Sequence, residues 1–309
     1  MAAVSCVGLS KSYGSAEAVR GVDLEVAAGE VFALLGPNGA GKTTTVEILE
    51  GYRRRDAGVV SVLGHDPANP SPAFKRRIGI VLQSTGVQPY LTVAETLAMY
   101  ASYYPSPRSV DELVHLVGLR DQLGVRVERL SGGQQRRLDV AIGLAGDPDL
   151  LFLDEPTTGF DPSARREAWE VVRNLAALGK TVLLTTHYMD EAQALADRVA
   201  VMVAGRVVAV GTPATLASRD SAAARILVRL PPGAVPPGEL HGFPAADGLT
   251  EFVPADLARG LHALTGWALD LGICLDSLQV IRPSLEDVYL QLTGSAAASV
   301  PGRDSSEGS

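Results

Sequence analysis

Cysteine is almost missing from this chain of 309 residues: Cys6 and Cys274 stand far apart and fit no ligand or disulfide spacing. A disulfide scaffold and a cysteine-held metal site are thereby excluded, and a reducing cytosol is the expected compartment. Aromatic residues make up only 5% of the chain, so its core must be built from Val, Leu, Ala and Ile. No apolar run approaches the ~20 residues of a membrane span. The richest, VAVMVAGRVVAVG, is bounded by Arg198 and broken by Arg206, so any membrane role calls for a partner. The opening MAAVSCVGLSKSYG has neither the charged region nor the apolar centre of a secretory signal. A formal charge of -8 argues against a broad basic face for nucleic acid. Internal repeats are absent. Lysine is scarce, limited to Lys11, Lys42, Lys75 and Lys180, which makes the one inside a glycine-rich loop conspicuous.

Residues 1–218 alternate short β-branched runs with helical stretches, the sequence form of a mostly parallel α/β sheet covered by helices. The clearest strands are EVFALLG, RRIGIVLQ, DLLFLDEP and KTVLLTTH. Each is a nearly continuous apolar run with a polar or glycine end, as expected of strands buried on both faces whose carboxyl ends meet ligands. From about 88 to 140 the strand pattern lapses. Thr92 with Glu95 makes a capping box before TVAETLAMYASYY, and SVDELVHLVGL keeps apolar residues at helical spacing, so an inserted helical subdomain is expected. LPPGAVPPGEL marks a boundary or loop, and residues 225–294 read as a small α+β module of β, β, α, β and α elements. Its last helix would carry Leu285, Val288, Tyr289 and Leu292 on one face. The tail, 295–309, is expected to be disordered.

The chemistry concentrates in GPNGAGKTTT, where Gly36, Gly41, Lys42 and Thr43 satisfy G-x-x-x-x-G-K-[ST] between a strand and a helix. Glycines at these places let backbone N–H groups converge on phosphate oxygens, with Lys42 offsetting charge and Thr43 offering a hydroxyl to Mg²⁺. No second loop of this kind occurs. Asp154 and Glu155 end the run LLFLD; beside a phosphate loop the first suits Mg²⁺ and the second a general base. Gln83 and His187 also sit at strand ends, where each is either a satisfied polar terminus or a group facing the γ-phosphate and its metal. Tyr13 is an ordinary loop aromatic or a platform for a base. A second glycine turn, LSGGQ, opens another helix: Ser131 and Gln134 form a capping box, a local device that by itself needs no ligand.

In this order the motifs resemble the ATP-binding cassette subunits of transporters. The likeness covers Val4 to about Leu216 and includes Tyr13, the phosphate loop, Gln83, LSGGQ, LLFLDEP, the turn TTGFDP and His187. Phe160 departs from it, where the family's turn usually has Leu before the aspartate. The resemblance implies a P-loop NTPase (RecA-like) fold over 1–218, with the helical insert carrying the signature. It implies ATP and Mg²⁺ as ligands. Contacts to nucleotide would come from Tyr13, Gly36, Pro37, Asn38, Gly39, Ala40, Gly41, Lys42, Thr43 and Thr44. Thr43, Gln83 and Asp154 would serve the metal, and Glu155, His187 and Gln83 catalysis. It further implies a head-to-tail dimer in which Ser131, Gly132, Gly133, Gln134 and Asp161 meet the nucleotide held by the other subunit. A membrane-spanning permease would hold the dimer peripherally at the cytoplasmic face, and no nucleic acid partner is expected. EILEGYRRRDAGVVSVLGHDP and RPSLEDVYLQLTG resemble the multidrug and daunorubicin-resistance exporters. An importer subunit, or a soluble cassette ATPase acting on ribosomes or DNA, is the alternative.

Overall fold

Five consecutive apolar residues, Val31–Leu35, have no solvent-facing side on which to place a polar partner, and the strand they form is buried throughout. A computed structural model describes residues 2–82, 86–217, 224–231, 233–238 and 240–281 of the chain. Gln83, the expected helix around 285–292 and the tail 295–309 lie outside the described residues. Two units separate by contact density, Met1–Pro213 and Ala214–Ser309.

The elements of the first unit follow in chain order: β1 (Ala2–Tyr13), β2 (Ala16–Ala27), β3 (Val31–Leu35), α1 (Lys42–Leu49), β4 (Ala57–Val62), α2 (Pro72–Arg77), β5 (Ile78–Val81), α3 (Val93–Ala101), α4 (Val110–Leu116), α5 (Gly132–Leu144), β6 (Leu150–Asp154), α6 (Pro162–Ala177), β7 (Thr181–Thr186), α7 (Met189–Leu195), β8 (Arg198–Val203) and β9 (Arg206–Gly211). Six strands make the main sheet in the order β5-β6-β7-β3-β8-β9. All neighbours are parallel except β8 and β9. Register then does the positioning. Leu35 pairs with Thr186 and Asp154 with Thr185, so Gly36, Glu155 and His187, each next in sequence, emerge side by side at one edge.

A smaller antiparallel sheet, β2-β1-β4, stands apart from the main one. The sequence reading anticipated only the parallel sheet. β1 hides its alternation behind register shifts along both of its partners, so its period-2 pattern is broken in the sequence. One buried cluster joins Val4, Leu9, Val22 and Val60 of this sheet to Phe32 and Phe152 of the other through Val46, Ile48 and Leu49 of α1. Truncating a ring such as Phe152, which has no exposed surface, costs roughly 3–5 kcal/mol.

Helices α3, α4 and α5 carry capping boxes at Thr92/Glu95, Ser109/Glu112 and Ser131/Gln134, the second of which the sequence reading had not singled out. Helix α5 is pressed against β5. A Cβ at Gly79 would lie 2.3 Å from the carbonyl oxygen of Gly143, so only glycine permits that approach.

Short α8 (Pro213–Ala217) precedes β10 (Arg225–Arg229), β11 (Gly242–Pro244), β12 (Thr250–Phe252), α9 (Leu257–Asp270) and β13 (Asp276–Ile281). The four strands pair antiparallel in the order β11-β12-β10-β13. Ile226, Val228, Leu240, Phe252 and Leu264 form their core. The observed order β, β, β, α, β has one strand more than the sequence suggested before the helix, because β11 and β12 are three residues each and too short for a periodic signal. The described residues of the proline-rich stretch lie in no helix or strand, between β10 and β11, within this unit.

Candidate functional site

The turn from β3 to α1 is built so that its helix starts without a cap of its own. Gly41, at the N-cap, has φ 99° and no side chain with which to cap the first turn of α1. A Cβ at Gly36 would meet the carbonyl oxygen of Met202 at 2.3 Å, and one at Gly41 that of Ala18 at 2.3 Å, which fixes glycine at both positions. Free N–H groups at a helix start, added to the positive end of its dipole, favour an anion. Lys42 is 4% exposed. Its Nζ donates to the carbonyl oxygens of Gly36 at 2.8 Å and Pro37 at 3.2 Å, and lies 3.6 Å from Glu155 Oε1. Burial lowers its pKa, against the raising effect of Glu155 and Asp154. A cleft of about 460 Å³ opens here, lined by Tyr13, Asn38, Gly39, Gly41, Lys42, Thr43, Thr44 and Glu155, with Ala18 beside them. Ala40 is buried beneath the turn. Tyr13 is half-exposed at the end of β1, with Lys11 Nζ 5.6 Å and the Arg53 guanidinium 5.5 Å from its ring centre.

At the neighbouring strand end, Thr185 holds both acidic residues. Its hydroxyl donates to Asp154 Oδ1 and accepts from the Glu155 N–H at 3.0 Å. Glu155 has φ 45°, a left-handed conformation that costs a non-glycine residue about 1–3 kcal/mol. Thr158 Oγ1 donates to Glu155 Oε2 at 3.0 Å. His187 Nδ1 comes within 3.3 Å of Glu155 Oε1 yet makes no hydrogen bond among the described residues, a buried polar atom without a partner there. The orphaned imidazole nitrogen, the uncapped α1 and the buried ammonium all fit a polyphosphate. The Thr43 hydroxyl and the Asp154 carboxylate are hard oxygen donors of the kind that hold Mg²⁺ together with substrate phosphates.

The second glycine turn lines a different cleft, of about 410 Å³, with Ser131, Gly132, Gly133, Gly159, Phe160 and Asp161 at its wall. Here the helix start is partly satisfied from within, by a capping box. Ser131 Oγ accepts from the Gln134 N–H at 3.3 Å, and Gln134 Oε1 accepts from the Ser131 N–H at 2.9 Å. Asp161 caps α6 through the N–H groups of Ser163 at 2.8 Å and Ala164 at 3.1 Å, which hold its carboxyl below the usual range. The two clefts share no lining residue.

Sequence reading missed Thr185 and Glu191. Thr185 was signalled only by two hydroxyl residues before His187. Glu191, fully buried on α7, accepts from Thr157 Oγ1 at 2.8 Å and Trp169 Nε1 at 3.3 Å, tying the turn after Glu155 to α6 and α7. Burial raises its pKa, against donors at Thr186, Thr157 and Trp169.

The family model described as ABC transporter matches residues 19–158. The chain is similar to the daunorubicin resistance ATP-binding protein of Streptomyces coeruleorubidus, 39% identical over 94% of this chain and 96% of that protein. It is also similar to the Nod factor export ATP-binding protein I of Paraburkholderia xenovorans, 38% identical over 95% and 97%. Among solved structures it resembles an ATP-binding cassette in its ADP conformation, with a TM-score of 0.62 and 24% identity over 69% of this chain and 91% of that one. A dimeric cassette in a post-hydrolysis state bound to ADP and phosphate superposes with a TM-score of 0.61 at 25% identity, covering 68% and 98%.

Proposed function

Since the chain belongs to the ABC transporter family as one of its ATP-binding, ATP-hydrolysing subunits, we propose that it powers an exporter of antibiotics or other drugs through a separate membrane-spanning permease. The names of its relatives, drug resistance and Nod factor export, support export over import or a ribosomal or DNA role. None of the described helices is long and apolar enough to cross a membrane. A permease would therefore hold this subunit peripherally, at the cytoplasmic face.

Nucleotide occupies the cleft beside Gly36–Thr44 in this reading, with the base against Tyr13 and the phosphates on the turn. Thr43 and Asp154 would hold Mg²⁺, and the ion would supply charge neutralisation at the phosphates when bound. Phosphate oxygens compete with Glu155 for Lys42, which releases the carboxylate to take a proton from the attacking water. His187, its Nδ1 unpartnered beside Glu155, is placed to meet the γ-phosphate.

One observation carries the dimer. The anion-seeking groups and the signature turn line two clefts with no residue in common, so one chain offers two half-sites. A second copy, head to tail, brings Ser131, Gly132, Gly133, Gln134 and Asp161 of each chain to the phosphates held by the other. The test mixes a chain bearing Lys42→Ala with one bearing Ser131→Arg. Each homodimer should be inactive, whereas the mixed dimer combines both lesions in one site and restores partial ATPase activity at the other. Mixed dimers that form by size and stay at background would sink the shared site.

A further inference from the structure

Arg136 lies one turn into α5, four residues after Gly132, and is buried. Its guanidinium is spent on backbone oxygens. Nη2 donates to the carbonyl of Asp154 at 2.8 Å, Nε to that of Pro156 at 3.2 Å, and Nη1 to that of Leu82. Two of these carbonyls flank Glu155, the residue held at positive φ, and the third ends the segment directly before Gln83. A carbonyl oxygen on each side of a strained residue limits how its peptide planes can rotate. A planar fork of five donors holds three such acceptors in fixed directions, whereas a lysine ammonium is a rotating point charge that fixes none of them. Burial disfavours the charge on Arg136, and Asp139, Asp154 and Glu191 favour it. The N-terminus of the same helix lines the signature cleft, and its body is pressed on β5 at Gly79 and Gly143 with no room for slack.

We propose that Arg136 is a positioning residue that couples the signature turn to the Asp154–Glu155 pair, so that engagement of one nucleotide is transmitted within the chain to the alignment of the other. This rests on the shared-site reading. A ligand that draws Ser131 and Gly132 moves α5 as a body, and α5 carries with it the donors that fix the backbone around Glu155. Each chain thereby joins its two half-sites through one side chain. A displacement of this kind, far from the chemistry, suffices to change turnover about 10²-fold.

The experiment has two arms. In homodimers, Arg136→Gln should lower kcat about 10²-fold while the Kd for a fluorescent ATP analogue stays within about twofold, and Arg136→Lys should not restore turnover. A fall in Kd affinity and melting temperature that matches the loss in kcat would reduce Arg136 to holding the fold together and overturn the proposal. The second arm uses the Lys42→Ala and Ser131→Arg pair, whose single intact site joins the acidic pair of one chain to the signature of the other. Arg136→Gln is then placed on either chain in turn. Loss of turnover from both placements supports coupling; loss only on the chain that supplies Glu155 overturns it. A control pair without the Arg136 change that forms dimers but stays inactive would instead sink the shared site.

Discussion

Gly36–Thr44 and Leu130–Gln134 both lead the chain into a helix, yet α1 starts on a left-handed glycine with no side-chain cap and α5 on a serine locked in a capping box. The first turn surrounds unfinished interactions: open N–H groups, a buried ammonium and an unpartnered imidazole nitrogen nearby. The second has no such charged or orphaned side chain, and its capping box engages the N–H groups of Ser131 and Gln134. A ligand is therefore worth more to the first, whereas the second offers the N–H groups of Gly132 and Gly133 beside a serine hydroxyl already engaged in its box. That difference fits an order in which nucleotide is captured on the phosphate turn and the signature closes over it afterwards.

Changes at the acidic edge of the first cleft should separate capture from chemistry most sharply. Glu155→Gln is expected to leave ATP binding intact and cut turnover by about 10²-fold or more, the scale of a lost general base. Single-turnover kinetics read both quantities, and a rate within a few-fold of the parent would remove Glu155 from that role. Lys42→Ala attacks capture itself. It should weaken ATP affinity about tenfold or more in a fluorescence titration, because the phosphates lose their nearest cation. Unchanged affinity would contradict the proposed seat of the phosphates.

A third change sharpens the contrast at the far end of α1, where Glu50 is buried. Burial first, then Asp154 and Glu47, pushes its carboxyl up to about 8 from the usual 4.5. The folded chain thus keeps a proton that the unfolded chain gives up near pH 4.5. Stability is full below that point and declines as pH rises towards about 8. Glu50→Gln should raise the melting temperature most above pH 8 and leave it nearest the parent's below pH 4.5, as scanning calorimetry across that range would show. An equal shift at every pH would exclude titration of Glu50 as the cause. The smallest effect belongs to the boxed turn: Ser131→Ala removes a cap and should cost about 1 kcal/mol in a urea titration. No loss there would mean that the capping box contributes nothing to α5.

The phosphate turn was legible because its determinants are local: strand, glycines, lysine and helix follow one another within a few residues. Ser131 and Gln134 were legible for the same reason, three positions apart on one helix. Thr185 was not, since its bond to Asp154 depends on the register of β6 against β7, which no short stretch encodes. Arg136 escaped for a related reason: a basic residue on a helix reads as solvated until three distant carbonyls are brought around it. The antiparallel sheet of β1, β2 and β4 was obscured by its bulges. Cleft membership follows strand order, so the separation of the two clefts emerged only with the fold.

Tyr13 stands at the end of a strand that belongs to the smaller sheet, whereas the phosphate turn grows from the main one. On the proposed reading, the two ends of a nucleotide rest on different supports. The phosphates meet glycines that tolerate no other residue and a lysine fixed by carbonyls, while the base meets a half-exposed ring flanked by Lys11 and Arg53. An aromatic face reads no hydrogen-bonding edge, and every base has a face to offer it. On that reading the subunit would count phosphates strictly and be lenient about the letter attached to them, so that the abundance of each triphosphate in a cell would decide which one it burns.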